Sequence, residues 1–230
     1  MNYLEICQDV ANKSGTIGDS LPSSVVAQTG RLKVIVDYVA KAWTDIQNSR
    51  KGWKFQQFDY SEKSLTVGQG DYTGIALGLS DHQDWIIGKD RPVLAYKVSD
   101  GIAYQYKLEP MPWPDFRKRF LIGSIPNGSP QAVSIRPRDL SLMIGPAPDV
   151  AYKVAGEYIP DAQVLAANAD IPRLPVQHHA VITYRALMYL AEFDEAKDAY
   201  QLAMVHYTPI WDSLIADQLP TMTLQRAYQP

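Results

Sequence analysis

The side chains best suited to chemistry in this sequence are four histidines and a single cysteine. His178 and His179 are adjacent, and successive residues of a helix point about 100° apart, so these two cannot converge on one metal ion. We interpret them as polar residues at a helix start. His82 lies in the segment Ser80-Asp81-His82-Gln83-Asp84. The side-chain oxygen atoms of this segment could hold a divalent ion, although its composition is also typical of a polar loop. We predict no metal site.

Motifs for a nucleophile or a bound phosphate are missing from the sequence. It contains no Gly-x-Ser-x-Gly, no Gly-Lys-Ser/Thr loop and no Gly-x-Gly-x-x-Gly between a strand and a helix. Cys7 lies on the apolar stripe of a predicted helix, where a small buried hydrophobe is the expected role. We therefore predict no catalytic residue, no enzymatic activity and no cofactor.

One alternative with chemistry stays open. The fold could bring distant carboxylates together as glycosidases do, and Trp85 and Trp113 offer aromatic surfaces on which a sugar could stack. The alternative function is therefore a carbohydrate-binding or carbohydrate-cleaving module.

Composition restricts the class of protein. The chain has 230 residues, 46% hydrophobic and 20% charged, which is typical of a globular protein. Its net charge of −3 and lack of a dense basic block argue against a protein that grips nucleic acid. A single cysteine suits a reducing compartment. The N-terminus has neither a basic region nor a long apolar run, so we predict no secretion signal. The apolar runs are far shorter than the ~20 residues of a membrane span, so we predict no membrane contact.

The C-terminal helices dominate the pattern. Residues 177–193 are apolar on almost every face, whereas a surface helix of a monomer keeps one apolar stripe. Such a helix is either the central core helix of a monomer or a helix that also packs on a neighbouring copy. We favour the second interpretation and predict an inter-subunit contact at Val34, Tyr38, Ile182, Tyr189 and Leu190.

A second C-terminal helix follows at once. Asp194 is the predicted N-cap, and Glu195 would lie in the first turn. Apolar residues then recur every three or four positions, with Pro209 inside the run, until Leu219. Residues 219–230 have no period and little charge, which predicts an extended arm.

The N-terminal part is helical and the middle is mainly β. Asn2 and Glu5 have the spacing of a capping box, and residues 30–52 carry a helical apolar stripe. From residue 56 to 160 the period changes to two, between many turn signals, and predicts strands at 64–67, 94–98, 103–108, 132–136, 140–144 and 153–158. The predicted fold is therefore α+β: an antiparallel bundle of N-terminal and C-terminal helices (1–55 and 161–218), a mainly β insertion (56–160) and a C-terminal arm (219–230).

Short motifs along nearly the whole chain resemble those of tailed-bacteriophage head-to-tail adaptor proteins, the connector or head-completion proteins. The N-terminal motifs are Tyr3 to Ala11, Thr29-Gly30-Arg31-Leu32, Ala42-Trp43-Thr44-Asp45-Ile46-Gln47 and Trp53. The middle contributes Asp115-Phe116-Arg117, Ser129-Pro130-Gln131, 142–148 and Glu157-Tyr158-Ile159-Pro160. The C-terminal motifs are Ile171-Pro172-Arg173-Leu174-Pro175, 178–180, Arg185-Ala186-Leu187 and Asp217-Gln218-Leu219-Pro220.

The resemblance implies a structural virion protein, made in the host cytoplasm, at the head-tail interface. Such proteins form a ring, commonly dodecameric, that joins the portal protein to the tail tube or nozzle and lets DNA pass without specific binding. The arm would bind the portal through Leu219, Pro220, Met222, Leu224, Arg226 and Tyr228. The insertion would face the tail components or neighbouring adaptors, and the alternative function would be that of a tail-associated carbohydrate-binding or carbohydrate-cleaving module. This chain departs from the smallest adaptors by carrying the β insertion, so which of its surfaces meets which partner is an open question.

Overall fold

A computed structural model describes residues 1–15 and 21–219 of the chain. The chain divides into two compact units, of which the first comprises Met1–Gln56 and Ala162–Pro230 and the second Gln57–Asp161. The first unit is mainly helical, and every strand of the described residues lies in the second unit. The α+β prediction is confirmed.

Four of the five α-helices in the described residues belong to the first unit. They are α1 (Tyr3–Lys13), α2 (Gly30–Asn48), α4 (Ala180–Phe193) and α5 (Lys197–Gln218). The predicted capping box opens α1, because the Asn2 side chain accepts from the Glu5 N–H and the Glu5 carboxylate accepts from the Asn2 N–H, both at 2.9 Å. The helix α4 contacts α1, α2 and α5, and therefore lies in the middle of the unit.

The core of the first unit collects the predicted apolar stripes. Ile35, Val39 and Trp43 of α2 are fully buried, and so is Cys7, whose burial raises the pKa of the thiol to about 12. The indole of Trp53 stacks on Phe55 with ring centroids 5.4 Å apart and thereby closes one side of this core. The remaining buried members include Tyr3, Ile6, Val10, Ile46, Val181, Ile182, Leu190 and Leu214.

The second unit contains two sheets within the described residues. Its strands are β1 (Phe58–Leu65), β2 (Asp71–Tyr72), β3 (His82–Ile86), β4 (Leu94–Lys97), β5 (Tyr106–Lys107), β6 (Glu109–Pro110), β7 (Ala132–Ile135), β8 (Leu142–Gly145) and β9 (Tyr152–Pro160). One sheet has the order β1-β9-β4-β5, with β3 also pairing β9; the other has the order β2-β8-β7-β6. The pairs are antiparallel except β6 with β7.

Two close packings hold the second unit together. In β9, a Cβ at Gly156 would lie 2.7 Å from the Tyr60 hydroxyl, so only glycine lets the tyrosine lie flat across the strand. The short helix α3 (Trp113–Phe120) packs on the β7–β8 hairpin through the buried ring of Phe116, beside Ala132 and Met143. This packing leaves the residues that follow α3 on the surface of the unit.

Three sequence predictions about elements are wrong. The segment 103–108, predicted as one strand, begins in the 3-10 helix Ile102–Tyr104, and only Tyr106–Lys107 form β5. Asp194 ends α4 as its C-cap and does not begin α5, which starts at Lys197 after Ala196; Glu195, predicted in the first turn of α5, precedes the helix in a left-handed conformation (φ 54°). The segment around His82, predicted as a polar loop, contains strand β3. Local polar composition predicted a loop there, but pairing with β9 makes it a strand.

Candidate assembly surface

The helix α5 carries two apolar faces. The inner face, with Ala203 and Leu214, is buried in the core of the first unit. The outer face exposes Leu202 (61%) and Val205 (67%), and Pro209 continues the same stripe at helical spacing. A helix on the surface of a monomer normally keeps only one apolar face, so the outer stripe is the part of the first unit best placed to contact a partner.

An ion pair fixes the turn between α4 and α5. The Arg31 guanidinium donates to both carboxylate oxygens of Asp194, at 2.8 and 2.7 Å. This bidentate geometry holds the pKa of Asp194 below its usual value. The turn presents Phe193, which is 57% exposed although its ring meets the edge of Tyr38 at 6.2 Å between centroids. The turn is therefore held by an ion pair and exposes an apolar ring to solvent.

A pocket of about 350 Å³ adjoins this turn. Leu187, Leu190, Ala191 and Ala203 contribute apolar side chains to its lining, and the stacked rings of Tyr184 and His206 do so as well. Leu202 and Asp194 also line the pocket, which places an apolar side chain of the outer stripe and a carboxylate there. A concave apolar pocket beside an exposed apolar helix face can accept an aliphatic side chain from another protein.

The five residues predicted to contact a neighbouring copy divide into two groups. Ile182, Tyr189 and Leu190 are buried by their own chain, although Leu190 also lines the pocket, and their contact with another copy stays a prediction. They are buried because α1, α2 and α5 together cover α4, and its apolar surface does not require a second copy. Val34 and Tyr38 are half-buried, and their contact with another copy stays a prediction.

Tyr189 makes polar and cation–π contacts within its own chain. Its hydroxyl donates to the Asp45 carboxylate, and the cations of Lys41 and Arg185 lie 4.1 and 4.7 Å from its ring centroid. Burial, followed by the bond to Asp45, raises the pKa of the phenol to about 12, so the hydroxyl stays protonated as a donor. The residue links α4 to α2 within one chain.

Several polar contacts hold the end of α5, from which the predicted arm starts. His178 Nε2 lies 3.0 Å from Asp217 Oδ2, and the Lys54 ammonium donates to the Asp217 carbonyl at 2.6 Å. Hydrogen bonds from Gln218 and His178 lower the pKa of the Asp217 carboxyl. Of the predicted arm residues, Leu219 is half-buried, while Pro220, Met222, Leu224, Arg226 and Tyr228 lie outside the described residues.

The histidines considered above as possible metal ligands pack against other residues of the chain. His178 and His179 lie at the start of α4, as predicted, with His179 at the N-cap position. Both side chains are buried, and His179 Nε2 lies 2.8 Å from the Leu174 carbonyl oxygen. His82 packs on Trp85 with ring centroids 3.9 Å apart, and burial lowers its pKa. Within residues 1–15 and 21–219, no group of three or more His, Cys, Asp or Glu side chains is placed to hold a metal ion.

The aromatics of the carbohydrate alternative do not form a platform. Trp85 is buried and donates its indole N–H to the Leu140 carbonyl at 2.7 Å, so its ring is unavailable to a sugar. Trp113 is half-buried and stacks on Phe116. The structure therefore removes one of the two residues on which that hypothesis depended.

Sequence reasoning missed Phe193, Leu202 and Val205 as surface residues. It followed the apolar positions that now line the inner face of α5 and assigned the uncovered surface to α4. The available signal was the presence of apolar residues on both sides of α5, which leaves that helix with little amphipathic character. A helix with two apolar faces needs two partners, of which its own core is only one.

Comparison with known proteins agrees with the resemblance. The sequence model of the family described as SU10 adaptor protein matches residues 1–228, so the chain belongs to that family. This confirms the resemblance to phage head-to-tail adaptors and defines the chain as a phage adaptor protein. A search of curated proteins finds no match. Among the described helices, none is both long enough and apolar enough to cross a lipid bilayer.

Proposed function

We propose that this adaptor is a structural virion protein that forms a ring between the portal and the tail and continues the DNA channel, without catalysis. The observation that carries the proposal is the family match over residues 1–228. The exposed outer stripe of α5 supports ring formation, because a surface that the chain does not cover itself is available to the next copy. A dodecameric ring follows from the resemblance.

The two parts of the chain have separate roles in this proposal. Residues 1–55 and 161–218 form the adaptor domain, and the insertion 56–160 faces the tail tube or nozzle or a neighbouring adaptor. The division of the chain near residues 56 and 161 supports this assignment. A net charge of −3 suits a channel wall, because a strongly basic wall would hold the DNA that must pass.

The arm 219–230 binds the portal in this proposal. The contacts around Asp217 support it, since they hold the point from which the arm leaves α5. The sequence also supports it: Met222, Leu224, Arg226 and Tyr228 alternate with smaller or polar residues, and an extended chain places alternate side chains on one side. Such a segment can lay one apolar edge along a partner.

Native mass measurement of the chain mixed with its portal protein tests ring formation. We expect one complex with a fixed number of adaptor copies on each portal. Finding only free adaptor monomer beside an unchanged portal would contradict the proposal.

The arm is tested separately, by replacing Met222, Leu224 and Tyr228 with serine. We expect weaker portal attachment and an unchanged circular dichroism spectrum. Replacing Thr221 and Thr223 with alanine is the matched control and should leave attachment unchanged. Equal attachment of both variants would show that the apolar edge of the arm has no part in binding.

A further inference from the structure

The last turn of α3 and the loop that follows it combine positive charge with exposed apolar side chains. Arg117, Lys118 and Arg119 are consecutive and exposed, and none of them forms an ion pair within the described part of the chain. Leu121 and Ile122 follow, and Ile122 is 61% exposed. We call residues 117–125, which comprise the last turn of α3 and the loop after it, the basic–apolar loop.

The α4–α5 turn and the outer stripe of α5 carry negative charge, opposite to that of the basic–apolar loop, and they also expose apolar side chains. Glu192, Glu195 and Asp198 are exposed there, next to the exposed Phe193, Leu202 and Val205. Lys197 offsets one of these carboxylates, and Asp194 is paired with Arg31, so the surface remains negative. We call these six exposed residues the acidic–apolar face.

We propose that the basic–apolar loop of one copy docks on the acidic–apolar face of the next copy. The inference rests on the proposed ring and names the surfaces that would form it. The two surfaces are different patches of one chain, so the contact is heterologous, and such a contact repeats from copy to copy until the rotation closes a ring. Each copy uses its loop on one side and its face on the other.

Charge and apolar contacts have different roles in this interface. Exposed ion pairs contribute little affinity each, but complementary patches steer the encounter and fix its orientation. Affinity comes from apolar side chains that enter a concave site. The pocket beside Leu202 has about 350 Å³, well above the ~150 Å³ that holds a benzene ring, so it has room for Leu121 or Ile122 of the next copy.

The exposed apolar side chains favour a protein over DNA as the occupant. A loop that gripped phosphates would need its cations but would gain nothing from exposed Leu121 and Ile122. The carboxylates of the acidic–apolar face likewise suit a basic protein surface and repel a nucleic acid. A second copy of this chain supplies both requirements.

A charge-exchange experiment tests the pairing. One variant carries Arg117→Glu, Lys118→Glu and Arg119→Glu, and the other carries Glu192→Lys, Glu195→Lys and Asp198→Lys. Each variant alone presents two surfaces of like charge, so we expect its self-association to fall about tenfold to a hundredfold. An equimolar mixture of the two variants should associate again, because every contact in an alternating assembly then joins opposite charges.

The readout is cross-linking between chains that each carry one introduced cysteine. Ile122→Cys chains mixed with Leu202→Cys chains should yield dimers with a short bismaleimide, and the native Cys7 should not react because it is buried and its pKa is raised to about 12. Ile122→Cys mixed with Val164→Cys is the matched control, since Val164 is exposed but lies off the face. The charge reversals of the preceding experiment are introduced into these cysteine-bearing chains, and their effect on cross-linking is measured.

A second control changes the net charge by the same amount at positions outside the proposed interface. Lys89→Glu, Lys107→Glu and Arg138→Glu reverse three exposed cations of the second unit outside the basic–apolar loop. This variant should cross-link as the unmodified chain does. Circular dichroism of every variant checks that it is folded.

Three results would overturn the inference. They are equal cross-linking of the test and control cysteine pairs, equal loss with the control charge reversal, and no recovery in the mixed charge variants. Salt-dependent DNA binding by the basic–apolar loop, without cross-linked dimers, would assign the loop to nucleic acid instead. If a ring still forms on the portal while the charge variants have no effect, the proposed function stands and only this interface is wrong.

Discussion

Replacing Ile182 with alanine tests whether one copy of the chain covers its own central helix. Ile182 is 0% exposed, in the helix that contacts α1, α2 and α5. The substitution removes three carbon atoms, worth about 2.4 kcal/mol at ~0.8 kcal/mol each, and a cavity term adds to this. We expect the free energy of unfolding to fall by about 3–4 kcal/mol, within the range of roughly 2–5 kcal/mol for such core substitutions.

The assay is denaturation by urea, followed by far-ultraviolet circular dichroism, which reports mainly on the helical first unit. The loss should be the same at every protein concentration, because the contacts of Ile182 are within one chain. Val205→Ala is the matched control: Val205 is 67% exposed, so its truncation should change stability by no more than about 0.5 kcal/mol. A loss below about 1 kcal/mol for Ile182→Ala, or one that depends on protein concentration, would refute the reasoning.

Three further predictions concern single contacts. Asn2→Ala removes the side-chain acceptor of the capping box and should lower the free energy of unfolding by about 1 kcal/mol in the same urea assay. Asp194→Asn should cost up to about 1 kcal/mol at neutral pH. Because Arg31 lowers the folded-state pKa of Asp194, this stabilisation is present above the unfolded pKa of about 3.9 and is lost as pH falls through the folded pKa. The measurement is the free energy of unfolding over a pH series, in which the values for Asp194→Asn and the unmodified chain should converge only at low pH. Gly156→Ala should destabilise the second unit by about 1–3 kcal/mol, because the new Cβ meets the Tyr60 hydroxyl. Thermal unfolding of the double variant Gly156→Ala with Tyr60→Phe should show that part of the lost stability is recovered. No recovery would contradict the proposed clash.

Local patterns in the sequence predicted the features that depend on a few neighbouring residues. The capping box at Asn2 and Glu5 needs only the spacing of those two residues, and the structure has both of its hydrogen bonds. The period of three and four in α2 predicted a buried stripe that includes Trp43, because helix geometry alone places these side chains on one face. The period of two between 132 and 136 likewise predicted a strand where β7 lies.

Features that depend on distant residues were not predictable in this way. Asp194 has the side chain of an N-cap, but Arg31, far away in sequence, binds it at the end of α4. The segment of His82 is polar like a loop, yet the edge of β9 pairs with it. In both cases a long-range partner outweighed a local preference that is worth only about 1 kcal/mol.

The amino-acid sequence by itself determined that this chain has more apolar helical surface than one stripe per helix, and its motifs indicated the adaptor family. Only the tertiary structure decided which of that surface is covered. Packing of α1, α2 and α5 encloses α4, including Ile182 and Leu190, and leaves Leu202 and Val205 of α5 in contact with solvent. The physical reason is that apolar burial is non-directional: the period shows which side chains share a face, whereas long-range packing selects the faces that meet.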